Sequence, residues 1–260
     1  MKYRAAVATL AAVPLALGLT ACGGQPEATG YRPSVPAETP TAVVSKTAVP
    51  LEKVARLNRV TFVPAMNAAL TKQKSWHIVG KVTANGSTLM TMDGFQTAKP
   101  NAMSMVMAGA AFGGKTAKMI QIKNVAYVSI PGTTPGGKFV RIKASDGDLG
   151  QLIDSSDPTT IFKSFGSNLG TVKFVGAETV GGQALDRYDV TVDTAKALAL
   201  QHKKLPAGAP KTLTYSLWMD KSHLVRRMSF DLVGVSMLMT MTDYNKPVHI
   251  TAPPASKIVK

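Results

Sequence analysis

The hydrophobic positions of this chain change period at Trp76. Before it, Phe62, Met66, Ala69 and Leu70 recur at helical spacing. Pro64 falls in the first turn, where its missing N–H breaks no helical hydrogen bond, so Phe62–Lys74 predicts one amphipathic helix. After Trp76 the period is two. His77–Val82 and Thr88–Asp93 flank Asn85-Gly86, a pair suited to a two-residue turn with positive φ at both positions, and they predict a hairpin. The same alternation predicts strands over Ala102–Ala108, Ala117–Lys123, Ala126–Ile130 and Lys138–Lys143. It continues over Thr171–Thr179, Leu185–Asp193, Thr212–Met219, Leu224–Leu232, Val235–Tyr244 and Val248–Ile250. Between Asp146 and Leu169 it lapses. Asp148–Ile153 and Asp157–Phe165 each open on a capping aspartate and predict two short helices, and Thr194–His202 predicts a third. Hairpins in succession with few helices make an α+β domain: a large, curved antiparallel sheet of about ten strands with helices on one face.

Three of these strands carry methionine at every second position: Met90 and Met92; Met103, Met105 and Met107; Met237, Met239 and Met241. Residues two apart in a strand share a face, so one face of the sheet is rich in thioether while Thr91, Ser104, Thr240 and Thr242 point away. Methionine specifies packing weakly, but its flexible, polarizable side chain suits a surface that must adapt to its contents. Two readings stand side by side: a methionine-rich packed core, or the lining of a cavity for flexible apolar ligands such as acyl chains.

The N-terminus changes the picture. Lys2 and Arg4 precede an uncharged run, Ala5–Leu19, too short to span a bilayer, and the pair reads as a signal peptide. Leu19-Thr20-Ala21-Cys22 follows and looks like a lipobox. Cys22 is the only cysteine, which excludes an intramolecular disulfide and a multi-cysteine metal site. Acylation of Cys22 would supply the two or more chains that stable anchoring needs. From Gly23 to Pro50 the chain is rich in Pro, Ala, Thr and Ser, a tether able to reach roughly 90 Å if extended. The expected organisation is a leader at 1–21, an acylated cysteine and tether at 22–56, a folded domain at 57–252 and a basic tail at 253–260.

The 260 residues are 45% hydrophobic and 17% charged, ample for a core, and their formal net charge is +15. A basic surface calls for an acidic neighbourhood: nucleic acid, anionic lipid or an acidic wall polymer. Export and the lack of an aromatic-basic platform argue against nucleic acid. Gly109–Thr116 matches the phosphate-loop pattern letter for letter, yet strand-like residues follow it where a helix is required, so it reads as a hairpin loop. His77, His202, His223 and His249 are dispersed without metal-ligand spacing, and no serine nucleophile motif is present. Asp186-Arg187-Tyr188-Asp189 reads as a cross-strand polar ladder. No cofactor, no metal and no catalytic residues are expected.

Taken together, the lipobox, the tether, the helix leading into Ser75-Trp76-His77-Ile78, and the hairpin Thr214–Asp220/His223–Phe230 with Trp218 and Asp220 resemble the actinobacterial LppX/LprG-type lipoproteins, which have a LolA/LolB-like fold. The likeness runs from about Leu57 to Thr251. It implies a half-barrel closed over helices, enclosing a cavity for lipid or lipoglycan acyl chains. It also implies carriage or presentation of lipid at the outer face of the cell membrane, anchored through Cys22. The expected lining is Met90, Met92, Met103, Met105, Met107, Met237, Met239 and Met241, with Phe162 and Phe165 closing it. The expected partners are the lipid or lipoglycan ligand, an anionic membrane surface and a membrane lipid transporter, met by a monomer. The alternative is a non-catalytic envelope interaction or regulatory lipoprotein with a packed core and no lipid cargo.

Overall fold

In the computed structural model, which describes residues 56–143, 165–166, 168–199, 205 and 208–259, the first described feature is an Asx turn. The Asn58 side-chain oxygen accepts from the N–H groups of Val60 and Thr61 and starts helix α1, Phe62–Leu70. Phe62, Met66 and Ala69 are buried, as the spacing requires. The helix stops short of the expected Lys74 because the backbone there is already engaged. Lys74 N–H donates to the Asn245 side chain, and its carbonyl accepts from Ala98 N–H.

Among the described residues eleven strands follow: β1 Ser75–Ala84, β2 Ser87–Thr97, β3 Ala102–Ala108, β4 Thr116–Ile122, β5 Val125–Ser129 and β6 Val140–Lys143, then β7 Leu169–Val180, β8 Gln183–Asp193, β9 Thr212–Met219, β10 Val225–Leu232 and β11 Val235–Thr242. Helix α2, Thr194–Ala199, lies between β8 and β9. All the ladders are antiparallel, and one sheet runs β6-β5-β4-β3-β2-β1-β11-β10-β9-β8-β7. The pattern therefore locates nearly every strand. Val248–Ile250 is the exception and is not a strand: it lies between Pro247 and Pro253-Pro254, which lack the N–H a ladder needs. The expected helix Asp148–Ile153, most of Asp157–Phe165, and Cys22 with its leader and tether lie outside the described residues.

The half-barrel expectation is corrected: the sheet is open, with β6 and β7 as its two edges. Its topology explains this. Two meanders, β1–β6 and β7–β11, meet at the β1/β11 seam and grow outward from it, so their free ends lie at opposite edges and do not pair.

One face of the sheet, here called inner, packs against α1 and α2 in an apolar cluster that includes Phe62, Met66, Ala197, Ile78, Leu217 and Met228, with a smaller cluster of Ala126, Ile142, Val128 and Val140 over β5 and β6. The outer face is polar over β7–β10. There Arg187 bonds Glu178 and Asp189, Ser216 donates to Asp189, and Trp218 donates to Glu178 at 2.7 Å, the polar ladder expected from Asp186–Asp189. Arg187 and Arg227 lie over the Trp218 ring from the two neighbouring strands. The Trp218 and Arg187 hydrogen bonds hold the Glu178 carboxyl below its usual range. At the far edge the C-terminal residues return to the sheet: Phe139 and Ile258 form a parallel bridge.

Candidate functional site

The inner face is built in rows that cross the strands, because an antiparallel register places inner-facing residues directly opposite one another. The first row holds Trp76, Gln96, Met103 and Gln121. Next come Met241, Ile78, Gly94, Met105 and Met119. The third is Met228, Met239, Gly80, Met92 and Met107, and the last is Phe230, Met237, Val82 and Met90. All eight methionines expected to line a cavity therefore share this face.

Their burial is graded. Met103, Met105, Met239 and Met241 are 2%, 5%, 4% and 1% exposed. Met90, Met92, Met107 and Met237 are half-buried. The stripe thus runs from a closed end beside Trp76 to an open end near the turns at Asn85-Gly86 and Val233-Gly234.

Two glycines make room for it. The Met92 side chain lies across Gly80, where an added Cβ would sit 2.5 Å from its terminal methyl carbon. At Gly94 a Cβ would run into the Ser104 carbonyl and come within 2.9 Å of Met105 Cα.

Aromatic rings flank the stripe. Phe165 is fully buried with its ring edge-on to Tyr215 at 5.1 Å, and Tyr215 is edge-on to Phe230 at 5.2 Å. Phe230 lies opposite Met237, which links Phe165 to the open end of the stripe. Phe162 lies outside the described residues. Burial pushes the Tyr215 phenol up to about 12, so it stays neutral on this face. Between α1 and the start of β10, a recess of about 10 Å³, little more than the room one water needs, is lined by Met66, Leu70, Leu224, Val225 and Tyr244. Burial also raises the Tyr244 phenol, which donates to the Val225 carbonyl at 2.6 Å.

Sequence reasoning misses Met119, Met228, Tyr215 and Phe230. Each is a single large apolar residue in an alternating strand, and only the cross-strand register adds it to the methionine rows. The phosphate-loop pattern is a hairpin connection between β3 and β4. Ala110–Phe112 forms one 3-10 turn there, and Gly113 and Gly114 adopt positive φ. Among the described residues, no group of three or more His, Cys, Asp or Glu is placed to hold a metal ion.

No protein-family model and no curated protein matches the chain. Among solved structures it is similar to the Mycobacterium tuberculosis lipoprotein LppX, with 17% identity, a TM-score of 0.54, and coverage of 74% of this chain and 98% of that one. It is also similar to LprF from Mycobacterium bovis, with 17% identity, a TM-score of 0.51, and coverage of 75% and 96%. At such identity the likeness is one of fold.

Proposed function

We propose that the chain is an exported lipoprotein, anchored through an acylated Cys22 at the outer face of the cell membrane, that binds lipid or lipoglycan acyl chains on its methionine face. It works beside an anionic membrane surface and passes its cargo on without catalysis, a membrane lipid transporter being the natural recipient. The observation that carries this reading is the graded stripe. Side chains that repack at low cost lead from a half-exposed end, at Met90 and Met237, to a buried end at Met103 and Met241. The lipobox and the fold shared with a lipoprotein support it further. The tether lets the domain reach away from its anchor.

A second reading has its own observation. The buried half of the stripe is packed, and the recess beside α1 is smaller than the roughly 300–1,000 Å³ of ordinary ligand pockets. A protein with this core and no cargo would act through its surface on another envelope component. On the lipid-carrier reading, the methionines move aside to admit the chain.

Native mass spectrometry with lipid extraction, on the chain purified from an actinobacterial host, separates the two. Co-purifying di- or triacyl lipid is expected, and it falls at least about ten-fold in a variant with Met90→Asp and Met237→Asp. These positions are half-buried, so the charge reaches water in the empty protein and meets the cargo only when cargo enters. Lipid content unchanged by the substitutions would refute the assignment, and a chain purified empty would favour the surface-acting protein.

A further inference from the structure

The outer face of the sheet is divided. Over β7–β10 its charges are mixed and paired, as in the Arg187, Glu178 and Asp189 cluster. Over β1–β6 it is almost free of acid: residues 75–143 contain eight Lys or Arg against the single acid Asp93. That acid is occupied. Asp93 Oδ1 lies 2.9 Å from His77 Nε2, and the His77 ring stacks on Phe95 at 4.5 Å.

The same half exposes apolar side chains around Asp93, whose own side chain is 67% exposed. The register sets Val79 and Val106 on either side of Asp93, and Phe95 occupies the next outward position, opposite His77. Their exposures are 43% for Val79, 42% for Val106 and 37% for Phe95. Ile120 and Tyr127, both half-buried, extend the Phe95 row toward β6. Exposed cations frame this patch: Lys81 two residues beyond Val79, Lys118 opposite Val106, and Arg141 opposite Tyr127.

We infer that the outer face of β1–β6 docks flat on an anionic lipid bilayer. The charge pattern selects this occupant. Long cationic side chains around a shallow apolar patch place their heads at lipid phosphates while valine and phenylalanine enter the headgroup boundary. A second copy would set its own Lys81, Lys118 and Arg141 against these cations and be repelled. Docking through the outer face leaves the methionine face uncovered. The inference rests on the membrane side of the proposed function and is independent of its cargo.

The test is sedimentation of the full chain, carrying Cys22→Ser throughout so that no thioether lipid contributes, with vesicles of equimolar phosphatidylglycerol and phosphatidylcholine or of phosphatidylcholine alone. Binding is expected to favour the anionic vesicles. Each surface cation is worth about five-fold, so Lys118→Ala with Arg141→Ala lowers partitioning about 25-fold. The control pair Lys211→Ala with Lys221→Ala removes the same charge from exposed positions of the other half and leaves partitioning unchanged. A Phe95→Trp reporter shifts its emission to the blue on anionic vesicles, whereas Val175→Trp on the β7 edge does not. Equal loss in both charge pairs, equal binding to both vesicle types, or an unshifted reporter at position 95 overturns the inference. So does dimerisation through this face that Phe95→Ser abolishes, or binding to an acidic polypeptide but not to vesicles. The variant with Met90→Asp and Met237→Asp still binds vesicles, so failure of the cargo reading and failure of docking are separate results.

Discussion

Adding one methyl group at Gly80 or at Gly94 tests whether the methionine face is adaptable. Both glycines lie on the inner face of adjacent strands, one row apart. At Gly80 the new Cβ meets the terminal methyl of Met92, 2.5 Å away, and a second atom of that side chain at 3.6 Å. Met92 is half-buried with three rotatable bonds beyond its backbone, so it swings aside and Gly80→Ala costs about 1 kcal/mol or less. At Gly94 the obstacle is the Ser104 carbonyl and the Met105 Cα, part of the β2–β3 ladder that cannot move without breaking its hydrogen bonds. Gly94→Ala therefore costs about 3 kcal/mol, the upper range of overpacking. For a domain of this size the second change lowers Tm by about 6–12 °C and the first by no more than about 4 °C. Urea unfolding at constant m-value reads both costs, and Met92→Ala in the Gly80→Ala background removes what remains of the smaller one. Equal costs at the two sites, or a Gly80→Ala cost above about 2 kcal/mol, would show Met92 to be rigidly held and would refute the adaptability on which the functional reading depends.

Two further outcomes follow from named groups. The Tyr215 phenol, pushed up to about 12 by burial, ionises in the unfolded chain near 10 and in the folded chain only later. Its contribution of roughly 2–3 kcal/mol is therefore fully present below pH 10 and is lost as pH rises from 10 to 12. Denaturant melts across that window should show a shallower fall in Tyr215→Phe than in the parent, and identical slopes would contradict the burial argument. Asp220, 9% exposed, accepts from Ser222 and Leu224 N–H groups and pairs with Arg226 at 2.6 Å, closing the β9–β10 turn. Asp220→Ala leaves these donors and the guanidinium without their acceptor and costs about 3 kcal/mol in urea unfolding; a loss below about 1 kcal/mol would mean that water replaces it.

Much of this protein is local and could be read in advance. Alternation with period two depends only on neighbours in the chain, so it located β3 and β9 to the residue and placed the eight methionines on one face. The Asn85-Gly86 turn, with φ of 48° and 78°, follows from the few residues that tolerate positive φ. What local pattern could not supply was which strand pairs with which beyond a hairpin. The contact that organises the sheet joins β1 to β11, with His77 opposite Thr242, and no turn residue announces a pairing over that distance. That seam makes the sheet open rather than a half-barrel and joins the Met237, Met239 and Met241 stripe to the methionines of β2 and β3, with Met241 opposite Ile78 and Met239 opposite Gly80. It also separates an acid-poor outer half from a mixed one. The alternating pattern decides which face of its own strand a residue occupies, whereas the partner across the ladder is set by burial of the whole apolar face, a sum over residues far apart in sequence.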